Sequence, residues 1–335
     1  MAKNDRKILT DRKMAKNNVR HSDAEIDRLG AKTELLIKAS KIGTIAIVGA
    51  VLLYMIVTFP QYYRATGGVL QAILLTVVCA AVCGIGINGI LYSLIAKRAE
   101  GSFWTAYRQE MLVNMPEEES ELIDMTIFKE EPGLEYEQME ASVLVNIRYD
   151  KLCYTHDTLY GEYGDTCFRM TDLKAGVPQR NEKGRVESRT IFDGVLGMVW
   201  NDEAEPLRKN GFLQILSKDY SPETAGHTVD HIIETGDEEF DSTFTVYAQK
   251  PNRLNGFFTD DFREILLDIK KDAGCPVAVS FNGGWLFIAL NNCPKYFEAE
   301  ANKKTSQKRE EMKSFIRVID GAGRLFAAAV ESTPV

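Results

Sequence analysis

Two long apolar stretches near the start of the chain predict a pair of membrane-spanning helices. Residues 42–59 contain no charged side chain over 18 positions, and residues 69–96 carry Gln71 and Asn88 as their strongly polar side chains. As helices, the two stretches would extend ~27 and ~42 Å, against ~30 Å of hydrocarbon in a bilayer. The turn-rich segment 60–68 is short, so we expect antiparallel spans that are retained rather than cleaved as a signal peptide.

Basic residues flank these spans unevenly and predict their orientation. Arg64 is the basic residue between the spans, whereas several precede the first span or follow the second. The flanking residues are Arg28, Lys32, Lys38, Lys41, Lys97, Arg98 and Arg108. Since basic loops favour the cytoplasmic side, we expect a two-span protein of the cell membrane with both termini in the cytoplasm.

A basic head precedes the hairpin. Residues 1–41 carry 11 Lys and Arg against 6 Asp and Glu. Ser22 and Glu25 have the spacing of a capping box, which predicts a helix that continues into the first span. Its basic side chains suit either contact with anionic lipid, at ~1 kcal/mol each, or a solvated flank that only sets orientation.

After the second span, aromatic residues recur at helical spacing, and an acidic stretch follows. Phe103, Trp104, Tyr107 and Met111 predict one apolar helix face just beyond the membrane. The acidic residues of segment 117–121 predict a solvated boundary before the next element.

The remaining pattern alternates between strands and helices and predicts an α+β domain with antiparallel hairpins. Gly164-Asp165 and Asn282-Gly283-Gly284 mark two tight turns. The predicted strands are residues 159–163, 166–170, 185–200, 212–216, 231–233, 243–247, 276–281 and 285–290. Thr259 as an N-cap and Gly274 as a terminator define one helix. A closing helix is predicted for residues 305–319.

Charge separates the chain into three parts. Residues 98–335 carry a net charge of −15, whereas the whole chain carries −8. We therefore predict a basic head (1–41), a transmembrane hairpin (42–97) and an acidic cytoplasmic domain (98–330). An acidic domain argues against nucleic acid as a partner, because phosphate binding requires a basic surface. Six scattered cysteines favour a reducing compartment over a disulfide framework.

Several short motifs could support binding or catalysis, and each also has a simpler structural interpretation. Gly84, Gly86 and Gly89 match the GxGxxG fingerprint of dinucleotide-binding folds, but they lie inside the second apolar stretch. There, small residues spaced four apart, such as Ala80 and Gly84 or Cys79 and Cys83, allow close helix packing. Asn88 and Gln71 are candidates for hydrogen bonds between helices or for contact with headgroups.

His227 and His231 are four residues apart and could share a metal on a helix, but a third ligand is missing from the sequence pattern. Cys153 and His156 could form a nucleophile and base, although a buried thiol near a surface histidine explains them as well. Asp237, Glu238 and Glu239 fit a solvated turn, and Asp260 with Asp261 fits the first turn of a helix. We assign no catalytic residue, metal or cofactor from these patterns.

The chain resembles a family of bacterial two-span membrane proteins named domain of unknown function 3137. The resemblance lies in the two spans, in LYGEYGDTCFRMTDLKAG (159–176), in TIFDGVLGMVWN (190–201) and in segment 244–298. It extends over residues 42–298, except segment 206–235. It implies a membrane-anchored protein with an unassigned domain and carries over no catalytic residue.

These patterns favour a membrane-anchored binding or scaffolding protein that is not an enzyme. Its expected partners are the lipid bilayer, another membrane or cytoplasmic protein, and a second copy through the membrane helices. The alternative is a membrane-tethered hydrolase or metal-dependent enzyme that uses acidic residues or the pair His227 and His231. A transport role through Gln71 and Asn88 would require oligomers, because two helices cannot enclose a pore.

Overall fold

The fold comprises two compact units, seen in a computed structural model that describes residues 20–66, 68–147, 153–201, 211–225, 231–254 and 256–332. The hairpin unit consists of His21–Tyr107 and Ala299–Gln307. The sheet unit consists, over the described residues, of Arg20, Arg108–Glu298 and residues 308–332.

The hairpin unit contains three helices, α1 (Asp23–Thr66), α2 (Val69–Ile95) and α3 (Lys97–Tyr107). Helix α1 has 44 residues and is therefore about 66 Å long. It begins at the predicted cap, where the Glu25 amide donates to Ser22 Oγ at 3.3 Å. The prediction of a turn at residues 60–68 is wrong for most of that segment, because α1 continues through Pro60 to Thr66. Proline is tolerated in such apolar helices when local hydrogen bonds replace the missing one.

Small residues bring α1 and α2 together. A Cβ atom added to Gly84 would lie 3.3 Å from Val48 Cγ2, and one added to Gly43 would lie 3.3 Å from Leu91 Cδ1. The hydroxyl of Thr44 donates to Asn88 Oδ1 at 3.2 Å. The predicted hydrogen bond between the helices at Asn88 is therefore confirmed. The side chain of Gln71 lies outside the described residues.

The start of the last helix, α9 (Thr305–Glu331), is capped from a distance by α1. Asp27 Oδ1 accepts a hydrogen bond from the Thr305 amide at 2.8 Å. Hydrogen bonds from the side chain and the amide of Thr305 lower the pKa of Asp27 below its ordinary value. Close by, Gly30 faces the Ala301 carbonyl and the Phe103 ring, and a Cβ there would lie 3.2 Å from each. The chain therefore folds back onto the first helix before α9 begins.

The sheet unit is built on one antiparallel sheet of nine strands within the described residues. The strands are β1 (Ile123–Lys129), β2 (Cys153–Tyr163), β3 (Thr166–Arg180), β4 (Val186–Trp200), β5 (Leu213–Ser217), β6 (His231–Ile233), β7 (Phe244–Ala248), β8 (Val277–Asn282) and β9 (Trp285–Asn291). Their order across the sheet is β1-β2-β3-β4-β9-β8-β5-β7-β6. The predicted α+β class with antiparallel hairpins is confirmed.

Short helices connect these strands. They are a π-helical turn (Arg108–Asn114), α4 (Met115–Glu119), α5 (Tyr136–Ser142), α6 (Pro222–Ala225), α7 (Glu238–Thr243), a 3₁₀ turn (Pro251–Arg253) and α8 (Asp260–Ala273). Helix α8 has the predicted ends, since Thr259 Oγ1 accepts from the Phe262 amide at 3.2 Å and Gly274 adopts φ +59°. Positive φ at Gly164, Gly283 and Gly284 forms the two predicted hairpin turns.

One face of the sheet is covered by α8 and α9. Phe262 of α8 packs on Phe281 of β8, with ring centroids 6.1 Å apart. Helix α9 is longer than predicted because glycines near its middle allow close contacts rather than ending it. A Cβ added to Gly321 would lie 2.5 Å from Ile269, and one added to Gly323 would lie 2.6 Å from the Tyr163 ring.

The opposite face is covered by residues 133–147, which we call the strap. Side chains of the sheet donate to its backbone carbonyls: Ser280 Oγ to Ser142 at 2.6 Å, Gln214 Nε2 to Val143 at 2.8 Å, and Arg169 to Gly133 at 2.8 Å. Strand register places these three donors on one row across the sheet. The strap's irregular backbone is buried without losing its hydrogen bonds.

Two features of the sheet unit differ from the predictions. Neither β1 nor α5 was predicted, because both are short and lack a clear periodic pattern. The acidic stretch after α3 is more than a solvated boundary. Glu117 Oε1 accepts from the Thr126 amide at 3.3 Å, and Glu119 pairs with Lys313 at 3.4 Å. These contacts cover the outer edge of β1.

Substitution of Gly321 with Ala should destabilise the sheet unit by about 1–3 kcal/mol, because the new methyl group would overlap Ile269. Urea unfolding in detergent, followed by circular dichroism, measures this effect. Gly101→Ala is the matched control, since it adds a methyl group to a helix with nothing within 4 Å. We expect the control to be neutral or stabilising by up to about 1 kcal/mol. Equal effects at both positions would contradict the packing argument.

Candidate functional site

The most extensive unusual surface of the described residues is the apolar exterior of the hairpin helices. Two helices are long and apolar enough to cross a membrane, with candidate spans at Asp23–Thr58 and Val77–Ile95, and an 18-residue window within each has a mean hydropathy of 2.0. Ile85 and Leu94 are each 77% exposed. Other exposed apolar side chains are Ile42, Ile45, Leu53, Ile56, Val57, Leu74, Val77, Val82 and Ile90. Apolar surface of this extent marks contact with lipid or another apolar body.

A second candidate lies in the sheet unit, where β2 carries a bulge opposite Asp172. Register shifts between Thr155 and Thr158, so two residues of β2 face one residue of β3. Asp172 Oδ1 accepts from the His156 amide at 2.9 Å and from the Asp157 amide at 2.7 Å. The carboxylate of Asp172 therefore supplies the acceptor that the interrupted ladder lacks.

The bulge holds a buried carboxyl beside an exposed imidazole. His156 Nδ1 lies 2.8 Å from Asp157 Oδ1, and the residue Asp157 is 6% exposed. Burial raises the pKa of Asp157, and Asp172 adds to this, whereas the contact with His156 and the charge of Arg108 oppose it. This arrangement resembles the base and orienting acid of a hydrolase. Among the described residues, however, nothing hydrogen-bonds the second ring nitrogen of His156, so a nucleophile is missing.

Basic side chains neutralise the carboxylates around this bulge. Asp193 pairs with Lys295 and lies 3.5 Å from Lys174. Asp172 and Lys295 line a very small cleft of about 10 Å³, together with Tyr296 and Phe297. Drug-sized ligands occupy about 300–1,000 Å³. The cleft suits water or a small ion better than a metabolite.

A larger and more open groove lies between α8 and α9. Its volume is about 420 Å³. The residues that line it are Asp261, Glu264, Ile265, Arg324, Ala327, Ala328 and Glu331. Its size is within the range of ligand sites, but the apolar walls that bury a ligand are limited to Ile265 and two alanines.

Among the described residues, the candidate catalytic and metal-binding side chains do not come together in a site. Burial raises the pKa of Cys153, which is opposite to the activation that a nucleophilic thiol requires. His231 is exposed on β6, whereas His227 lies outside the described residues. Within the described ranges, no three His, Cys, Asp or Glu side chains are grouped to hold a metal.

Other motifs have structural roles. Gly84, Gly86 and Gly89 all lie inside helix α2, so the strand that a dinucleotide fingerprint requires does not precede them. Asp260 lies in the first turn of α8, as predicted. Asp237 differs from the prediction of a solvated turn. It caps α7 by accepting from the Phe240 amide at 2.9 Å, and it lies 3.4 Å from Arg263 Nε.

The cluster at the bulge was missed from the sequence. Asp157, Asp172 and Asp193 are separated along the chain, and only the register of β2, β3 and β4 brings them near each other. The sequence does place an acid in each of three neighbouring strands. Without the pairing register, however, these three acids could not be distinguished from ordinary acidic residues on the solvent-exposed side of a strand.

Asp157→Asn should increase stability at neutral pH. Because the pKa of Asp157 is raised on folding, its stabilising contribution is complete below its ordinary value of about 3.9 and is lost as pH rises through the raised pKa. The variant removes this loss at pH 7, so its thermal midpoint should be higher there and should depend less on pH. Asp268→Asn, at an exposed position of α8, is the control. An unchanged pH profile in Asp157→Asn would contradict the assignment.

Comparison with known proteins identifies one family. The family model described as "Protein of unknown function (DUF3137)" matches residues 198–326. The match extends beyond the predicted end at residue 298 and includes segment 206–235, which the resemblance had left out. It does not include residues 42–197, so it gives no information on the hairpin. No curated protein and no solved structure matches the chain. Residues 198–326, which contain β5 to β9 and α8, are therefore similar to the DUF3137 family.

Proposed function

We propose that this protein is a membrane-anchored binding protein, in which the two-helix hairpin holds an acidic α+β domain at the cytoplasmic face of the cell membrane. One observation carries the proposal, namely the apolar exterior of α1 and α2. In the candidate span of α1, 6% of the most apolar window is buried inside the protein, and in that of α2 the share is 0%. A core helix of a water-soluble protein would bury most of that surface.

The polar groups of the hairpin support this role. Thr44 and Asn88 satisfy each other at the contact between the helices, and Thr58 donates to the Tyr54 carbonyl at 2.9 Å. In hydrocarbon, an unsatisfied polar group costs several kcal/mol, so internal partners of this kind favour residence in a bilayer.

Binding is favoured over catalysis by the chemistry of the sheet unit. The pair of His156 and Asp157 lacks a nucleophile among the described residues, and the cleft beside it is small. We infer that the domain acts by contact with a membrane or cytoplasmic protein, or with a second copy of the chain through the membrane helices.

Lysine substitution within the spans should prevent stable insertion. Ile56→Lys and Ile85→Lys each place a charge on an exposed apolar helix surface, at a cost of about 2.5–3.5 kcal/mol at the helix centre. We expect the double variant to leave the membrane fraction after carbonate extraction, whereas the unmodified chain stays in it. Leu122→Lys, at an exposed apolar position of the sheet unit, is the matched control and should behave like the unmodified chain. Release of the unmodified chain by carbonate would contradict the proposal.

The proposed orientation predicts that both ends of the chain are cytoplasmic. Green fluorescent protein fused after residue 335 should fluoresce, since it folds in the cytoplasm. Alkaline phosphatase inserted after Gly68 should be active, because it requires the oxidising side of the membrane. The reverse pattern, with an inactive phosphatase at Gly68 and a dark C-terminal fusion, would overturn the orientation.

A further inference from the structure

Strands β3 and β4 extend beyond the sheet as a two-stranded ribbon, residues 176–190. Pairing of β2 with β3 ends at Ala175, and pairing of β4 with β9 starts at Gly194. Between these limits, β3 and β4 pair only with each other, from Gly176 opposite Thr190 to Arg180 opposite Val186. Residues 178–180 and 182–190 are all exposed. The ribbon is therefore a projection rather than part of the core.

The tip of this ribbon has a defined backbone. Asn181 Oδ1 accepts from the Lys183 amide at 3.0 Å and from the Arg185 amide at 2.9 Å. The Asn181 amide also donates to the Arg185 carbonyl at 2.9 Å, and Gly184 supplies a φ of +73°. These hydrogen bonds fix the backbone conformation of the turn, and therefore the positions of the Cα atoms that carry the neighbouring side chains.

Three cations at the tip are unneutralised. Within the part of the chain that the structure describes, the side chains of Arg180, Lys183 and Arg185 have no hydrogen-bond or ion-pair partner. Cations at the base of the ribbon are paired instead, since Arg189 contacts Glu223 and Lys174 lies 3.5 Å from Asp193. Glu182 and Glu187 lie among the tip cations, so residues 178–187 carry three cations and two carboxylates and have a net charge of +1.

An apolar patch accompanies these cations. Val186 is 66% exposed and is paired directly with Arg180, so both side chains lie on one face of the ribbon. Pro178, two residues before Arg180, shares this face. A small exposed apolar group beside the cation of Arg180 suits the boundary between headgroups and acyl chains of an anionic membrane.

The rest of the domain makes a membrane a better partner than a free polyanion. Residues 98–335 carry a net charge of −15, which repels a nucleic acid that must diffuse to the ribbon. A membrane is already present at high effective concentration, because the hairpin and the ribbon belong to one chain.

We propose that the ribbon docks through Arg180, Lys183, Arg185 and Val186 on anionic phospholipids of the membrane that holds the hairpin. This inference rests on the proposed membrane anchor. The cations contact headgroup phosphates, while Val186 and Pro178 enter the apolar boundary. Docking of this kind gives the domain a second attachment point, and its strength depends on the anionic lipid content of the membrane.

Tryptophan quenching in nanodiscs tests this proposal with the full chain. Val186→Trp adds an emitter at the tip, and the unmodified chain gives the background from Trp104, Trp200 and Trp285. The discs contain phosphatidylcholine with brominated acyl chains, with or without phosphatidylglycerol. We expect the added emission to be quenched in discs with phosphatidylglycerol, to remain in discs without it, and to return when salt screens the headgroups.

Charge reversal supplies the matched control. R180E/K183E/R185E in the Val186→Trp chain should abolish the quenching, whereas K218E/K250E/K271E makes the same change in net charge elsewhere and should preserve it. Equal emission in both kinds of disc, or quenching that survives R180E/K183E/R185E, would overturn the proposal. Emission that depends on the number of chains per disc and not on phosphatidylglycerol would assign the ribbon to a second copy instead. Failure of the chain to enter discs at all would refute the anchor rather than the ribbon.

Discussion

Removal of the apolar surface of α1 and α2 from water is the constraint on which the rest of the molecule depends. The two helices pack where Gly43, Val48, Gly84 and Leu91 meet, and many of the described Ile, Leu and Val side chains remain exposed. At ~25 cal/mol per Å² of apolar area, a few exposed side chains already exceed the net stability of a typical domain. The hairpin therefore needs an apolar environment around it, which the proposed membrane anchor would supply.

The sheet unit solves a different problem, which is how to cover both faces of a broad sheet with few helices. Helices α8 and α9 cover one face through close glycine contacts, whereas the strap covers the other with irregular backbone. Such backbone is normally excluded from a core because its carbonyls would lose water. Gln214 and Ser280, both fully buried, give those carbonyls donors from the sheet itself. These polar residues hold the strap in place.

The sequence predicted correctly those elements whose ends are set by interactions between residues close together in the chain. Thr259 and Gly274 marked the ends of α8, and the glycine turns marked two hairpins, because caps and positive φ act over a few residues. The strap, β1 and the bulge at Asp157 depend on partners far along the chain, so no window of sequence contains them. The continuation of α9 past residue 319 was missed for a related reason. Gly321 and Gly323 reduce helix propensity locally, but contacts with Ile269 and Tyr163 require residues without a side chain there.

Many charged side chains of the sheet unit have a partner within the fold. Carboxylates such as Asp172 and Asp237 accept backbone hydrogen bonds, and most nearby cations pair with an acid, as Lys295 does with Asp193. An ion pair on this surface contributes little stability, but it leaves no strong local field. At the ribbon tip, Arg180, Lys183 and Arg185 form no ion pair with a described residue, although Glu182 and Glu187 are close to them in the sequence. Exposed cations of this kind add little to the stability of the fold, which leaves them available for the anionic surface proposed above.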